Sequence, residues 1–163
     1  MKDRKESADP RPGRPEDSAV LCVDDEPRVL SALGRTLGRE PYGLFRVQSA
    51  GEALGLLEQV PVKVVVADER MPGVSGSRLL SEVAQRWPLV GRIILTGYPG
   101  REAVLRGLEA QVDFLIYKPW DDQMLRRAVR RLLIEVDRAR ERQRERDPGD
   151  PGDPWTDLGA GDA

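Results

Sequence analysis

The sequence predicts a doubly wound α/β sandwich built on a parallel sheet. Two runs, VLCV at 20–23 and VKVVVA at 62–67, are almost continuously apolar. That is the pattern of strands covered on both faces, not of strands with one wet face. Segments with apolar residues at helical spacing follow each run, and strand and helix alternate five times along the chain. Parallel neighbours require crossovers, which are right-handed almost without exception. Five strand–helix units therefore give a sheet with helices on both faces.

Taken in order, the first strand is 20–23. Pro27 suits the first turn of a helix, because its missing N–H has no partner there anyway. Val29, Leu30, Leu33 and Leu37 then recur at helical spacing. A weaker strand covers 44–48, and Ser49 can cap the helix that presents Ala53, Leu54 and Leu57. After the second strong strand, Pro72, Gly73 and Gly76 mark a loop. A third helix carries Leu79, Leu80, Val83 and Trp87. RIILT at 92–96 is the next strand, and a thin helix over 100–110 presents Val104 and Leu108. FLIY at 114–117 is the last strand. A long helix beginning near Trp120 places Met124, Ala128, Leu132 and Val136 on one line.

The ends differ from the middle. Residues 1–18 and 147–163 lack apolar runs and are rich in Pro and charge, so they cannot offset the entropy of ordering and are expected to be disordered tails. The folded domain is expected over 19–134. The final helix then continues over 135–146 as a charged extension whose apolar line stops after Val136 and Ala139. A sustained coiled coil would need filled core positions over several heptads. A solvated extension is the expectation there, with a docking role for a partner or a second subunit as the alternative. Trp155 and Leu158 could form a short docking motif in the tail.

Composition excludes several functions. The chain has no histidine, which removes Ser-His and Cys-His catalysis and His-based zinc sites. It carries 26 basic and 28 acidic residues, a net charge of −2, so a basic nucleic-acid footprint is absent at whole-chain level. No run approaches the roughly 18 apolar residues of a membrane span, and the N-terminus has no apolar core of a secretory signal. The single cysteine, Cys22, sits in an apolar run and reads as a buried thiol. A cytoplasmic protein is expected.

In an open α/β sheet the ligand site lies at the carboxyl ends of the strands. There the sequence places Asp24, Asp25 and Glu26 after the first strand, Asp68 at the end of the third, Thr96 at the end of the fourth and Lys118 at the end of the fifth. Carboxylates about 5 Å apart repel by about 3 kcal/mol per pair at an effective dielectric near 20. They call for a cation, and oxygen-only ligands select a hard one such as Mg²⁺. Lys118 adds a point charge suited to a phosphoryl oxygen, and Thr96 adds a hydroxyl. A carboxylate attacking a phosphoryl group needs charge neutralisation and in-line positioning, not a general base.

DDEPR at 24–28, DERMPG at 68–73, LTG at 95–97 and YKPW at 117–120 resemble the response-regulator receiver domain, over roughly residues 19–134. The resemblance implies a flavodoxin-like three-layer sandwich with strand order 2-1-3-4-5. It implies Asp68 as phosphoacceptor. Asp25, Asp68 and the Arg70 backbone carbonyl would hold Mg²⁺, with Asp24 acting through a metal-bound water. Thr96 and Lys118 would contact the phosphoryl group, and the Lys118–Pro119 bond would be cis. The phosphodonor would be a sensor histidine kinase or phosphotransfer protein, and the output an unnamed downstream protein, with homodimerisation open. KPWDD further resembles receivers joined to HD-type cyclic-dinucleotide phosphodiesterases. Such a catalytic domain needs metal-binding histidines, which this chain lacks.

The family usually places an aromatic switch residue three positions before the lysine. Here that position is Leu115, next to Phe114. Either Phe114 serves through a register change or the coupling is weak. The second is favoured, because a one-residue slip turns a side chain to the other face. Functionally, a stand-alone phospho-switch is expected, with a phosphate sink as an alternative. An aspartyl phosphatase fits poorly, because Arg70 stands where its second aspartate would be.

Overall fold

The computed structural model describes residues 18–98 and 100–149. The expected tails therefore lie almost wholly outside the described residues, as do Trp155 and Leu158. Five strands, β1 (Ala19–Val23), β2 (Gly43–Val47), β3 (Val62–Asp68), β4 (Gly91–Thr96) and β5 (Phe114–Tyr117), alternate with five helices. The helices are α1 (Pro27–Leu37), α2 (Ala50–Gln59), α3 (Gly76–Arg86), α4 (Arg101–Glu109) and α5 (Asp122–Arg146). The sheet is wholly parallel in the order β2-β1-β3-β4-β5.

Alternation along the strands divides the core into two layers. Leu21, Val23, Val65, Ala67 and Ile94 face Ala53 and Leu57 of α2 and Leu79, Leu80 and Val83 of α3. Val20, Cys22, Val64, Val66, Ile93 and Leu95 face Leu30, Leu33 and Leu37 of α1 and Leu125, Val129 and Leu132 of α5. Burying each Val, Leu or Ile side chain among them is worth roughly 1.5–3 kcal/mol, and the two-sided burial accounts for the unbroken apolar runs.

Helix starts follow local chemistry. Pro27 opens α1. The hydroxyls of Ser49 and Ser75 accept from the backbone N–H of Glu52 and Arg78, and Asp121 accepts from Met124 N. Trp120 lies just before α5. Its indole N–H donates to Thr36 Oγ1 on α1 and to Asp122 Oδ1, each at 3.1 Å, so it ties the two helices together.

Two packing expectations are corrected. Val104 and Leu108 do not form the inner line of α4: they are 47 % and 71 % exposed, and Gly107 is the buried residue of that helix. Beneath it, Leu115 Cδ1 and Val112 Cγ2 come so near that a Cβ on Gly107 would meet them at 3.3 and 3.2 Å. The helix packs by close backbone approach, which hydrophobic spacing does not register. On α5 the inward line begins at Leu125, and Met124 is 50 % exposed. β2 begins one residue earlier than expected, because Gly43 pairs with Ala19.

Candidate functional site

Register brings the strand ends together. Val23 pairs with Ala67, Asp68 with Leu95, and Thr96 with Tyr117. Asp24, Asp68, Thr96 and Lys118 thus share one edge of the sheet. Carboxylate oxygens of Asp24, Asp25 and Asp68 all lie within 4.8 Å of one another. Asp24 is 1 % and Asp68 7 % exposed, while Asp25 is half-buried. The Lys118 ammonium lies 2.8 Å from Asp68 Oδ1 and 3.2 Å from Asp24 Oδ2. The peptide bond after it, Lys118–Pro119, is cis.

The electrostatics follow from this packing. Burial pushes the Asp68 carboxyl above the usual carboxylate range, against the opposing pull of the Lys118 ammonium, and Asp24 and Asp25 add to the rise. For Lys118 burial works downward, but Asp68 and Asp24 outweigh it and its affinity for the proton rises. One lysine cannot neutralise three carboxylates, so a divalent cation suits the cluster. The donor set is all oxygen, small and partly open to solvent, which fits Mg²⁺ rather than a softer metal.

Thr96 is 3 % exposed. Its Oγ1 accepts from Tyr98 N at 3.2 Å, and its own proton reaches only the Tyr98 carbonyl at 3.5 Å. That weak bond leaves the hydroxyl proton easy to redirect. Arg70 stands at the rim with its guanidinium 3.5 Å from the centre of the Tyr98 ring, and it donates to the Tyr98 hydroxyl at 2.8 Å. Glu69, Arg70, Thr96, Tyr98 and Arg106 line a cleft of about 340 Å³ beside the cluster.

Two residues here escaped the sequence reading. Glu69 is only 7 % exposed. It accepts from Ser77 N at 3.0 Å and Ser77 Oγ at 2.9 Å at the start of α3, and it sits 3.7 Å from Arg106 of α4. Gly76 is the second. A Cβ there would stand 2.1 Å from the Asp68 carbonyl oxygen, so α3 presses against the backbone of Asp68 itself. In the sequence Gly76 marks only a loop, and nothing in a single sequence distinguishes the two roles. Phe114 and Leu115 lie on opposite faces: Phe114 packs in the α1/α5 layer and Leu115 in the α2/α3 layer.

A five-stranded parallel sheet with this acid–lysine cluster at its carboxyl edge defines the receiver class of α/β proteins. The model of the response regulator receiver domain matches residues 20–130, and the chain belongs to that family. It is 43 % identical over 117 residues to the hydrogenase transcriptional regulatory protein HoxA of Cupriavidus necator, covering 71 % of this chain but 24 % of that protein. The chain thus spans about a quarter of that relative's length. Among solved structures it resembles the signal receiver domain of an HD domain-containing protein from Pseudomonas fluorescens, with a TM-score of 0.73 and 33 % identity, covering 77 % of this chain and 93 % of that one. A CheY-like receiver domain protein from Methanospirillum hungatei matches with a TM-score of 0.70 and 27 % identity, over 75 % and 98 % of the two chains. No helix among the described residues is long and apolar enough to cross a membrane.

Proposed function

We propose that this receiver accepts a phosphoryl group on Asp68 from a histidine kinase or phosphotransfer protein and signals through protein–protein contacts. The observation that carries the reading is the convergence of Asp24, Asp25 and Asp68 within 4.8 Å, with Lys118 bridging two of them. A Mg²⁺ ion, when bound by Asp25, Asp68 and the Arg70 carbonyl with Asp24 acting through water, would neutralise charge on the incoming phosphoryl group. An Asp68 carboxylate oxygen attacks phosphorus in line. The P–O bond forms as the P–N bond of the phosphohistidine donor breaks, and the electron pair stays on the departing imidazole nitrogen. Burial of Asp68 sharpens its nucleophilicity, because a less solvated carboxylate is a stronger base.

Lys118 already holds an Asp68 oxygen and is placed to hold a phosphoryl oxygen next. Thr96 donates its weakly held hydroxyl proton to another. Val104, Leu105 and Leu108 on α4, with Tyr117 and Met124 nearby in sequence order on β5 and α5, are exposed apolar side chains; they support readout by a protein partner. Interleaved acids on the Arg-rich end of α5 argue against a nucleic-acid target. The domain has no separate catalytic role in this reading.

Incubation with acetyl phosphate and Mg²⁺ tests it. One acid-labile, hydroxylamine-sensitive phosphoryl group per chain is expected, with no sustained turnover of phosphate esters. Multiple-turnover ester hydrolysis would favour the phosphatase alternative instead.

A further inference from the structure

At the edge of the sheet opposite the acidic cluster, a groove of about 380 Å³ runs between the turn before β4 and the far half of α5. Pro88 and Leu89 form one wall, and Val136 and Ala139 the other, with Arg138 and Arg142 exposed at its mouth. The two acids in its lining are engaged within the fold. Glu135 pairs with Arg131 at 2.9 Å, and Asp113 accepts from the backbone N–H of Arg92 at 2.7 Å. The Arg92 side chain is equally occupied, donating to the carbonyls of Gln111 and Val90 at 2.9 and 2.8 Å. What the groove offers a ligand is therefore a slot of mixed polar and apolar lining, with the Pro88, Leu89, Val136 and Ala139 side chains in its walls and two arginines flanking it.

The chain carries a segment of matching chemistry. Residues 150–163, DPGDPWTDLGAGDA, contain four aspartates and no basic residue, and their large apolar side chains are Trp155 and Leu158, flanked by Asp153 and Asp157. We propose that the segment 153–158 docks in this groove of its own chain, with the Trp155 indole in the slot and Asp153 and Asp157 on Arg138 and Arg142. The tether permits it. α5 ends at Arg146, and the nine residues from there to Trp155 span up to about 30 Å when extended. The return along α5 to Ala139 is only about 10 Å. Gly149 and Gly152 allow the chain to reverse. A short tether also holds the segment at millimolar effective concentration, so a weak site suffices. The inference is independent of phosphorylation at Asp68.

Amide and indole NMR of the full chain tests it. Trp155→Ala lies outside the described fold. It should shift the amides of 89–92 and 136–142 while leaving those around Asp68 in place. Arg142→Glu should move the Trp155 indole resonance toward its position in unfolded peptide. Both effects should be unchanged on dilution. Groove amides indifferent to Trp155→Ala, or an indole indifferent to Arg142→Glu, would overturn the proposal. Shifts that fade on dilution alongside a dimeric mass would overturn it too, by making a second copy the occupant.

Discussion

The Lys118 ammonium lies 2.8 Å from Asp68 Oδ1, reaching across from the end of β5 to the end of β3. It also holds Asp24, whose carboxylate is 1 % exposed. Removing the amine leaves a buried charge uncompensated, which typically costs about 3–5 kcal/mol. Lys118→Met should therefore lower unfolding free energy by about 3 kcal/mol, less where the half-open site admits water. Mg²⁺ should restore part of it. Urea denaturation with and without Mg²⁺ checks both; an unchanged midpoint would mean the pair contributes nothing net.

Asp25 is the most open member of the cluster. Saturable Mg²⁺ binding in the millimolar range should be visible in amide shifts near Asp68, and Asp25→Asn should abolish it. Without metal the same variant should be slightly more stable than the parent, because it removes one of three mutually repelling carboxylates. Undiminished Mg²⁺ binding in Asp25→Asn would remove that residue from the ligand set.

Close approach of α3 gives a third test. A Cβ on Gly76 would stand 2.1 Å from the Asp68 carbonyl oxygen, and backbone cannot yield as a flexible side chain can. Gly76→Ala should cost about 1–3 kcal/mol and slow phosphorylation, since the displaced strand end carries Asp68. Phosphorylation at the parental rate in that variant would show that Asp68 tolerates the shift.

Cys22 is fully buried, and burial pushes its thiol up to about 12, against a small opposing effect of Arg46. The unfolded thiol ionises near 9. Between those values the unfolded chain holds fewer protons, so stability falls with rising pH by up to about 1.4 kcal/mol per unit; below pH 9 this group contributes no slope. Denaturation at several alkaline pH values should show a flatter decline for Cys22→Ala. Native-state alkylation of Cys22 should track global unfolding.

The switch response should concentrate in α4. Its inner contact is Gly107 over Leu115 and Val112, while Val104, Leu105 and Leu108 face outward, so little apolar burial holds it. Leu115, at the position of the expected switch residue, has no ring to swing, and Phe114 faces the other layer. Hydrogen exchange with a phosphoryl mimic should change mainly over 97–110. A large change centred on 114–117 with α4 silent would refute this route.

The parts of the fold written in side-chain pattern were legible in advance. Continuous apolar runs mark β1 and β3, and the strand-end residues Asp24, Asp68, Thr96 and Lys118 point to the candidate site from the sequence alone. What escaped was written in backbone proximity. Gly107 and Gly76 act through the absence of a side chain, and their neighbours are distant in sequence. For α4, hydrophobic spacing misled: its apolar residues face outward, and the helix packs through a glycine. Glu69 was overlooked because a charged residue at a strand end gives no sign that Ser77 and Arg106 will enclose it.

The most direct measurement is the position of the phosphoryl group. With Mg²⁺ and acetyl phosphate, the parent chain and Asp24→Asn should each be compared with Asp68→Asn by peptide mapping after borohydride trapping. The account predicts a single modified residue, Asp68, reduced yield in Asp24→Asn, and none in Asp68→Asn. Labelling that persists in Asp68→Asn and is lost in Asp24→Asn would contradict it.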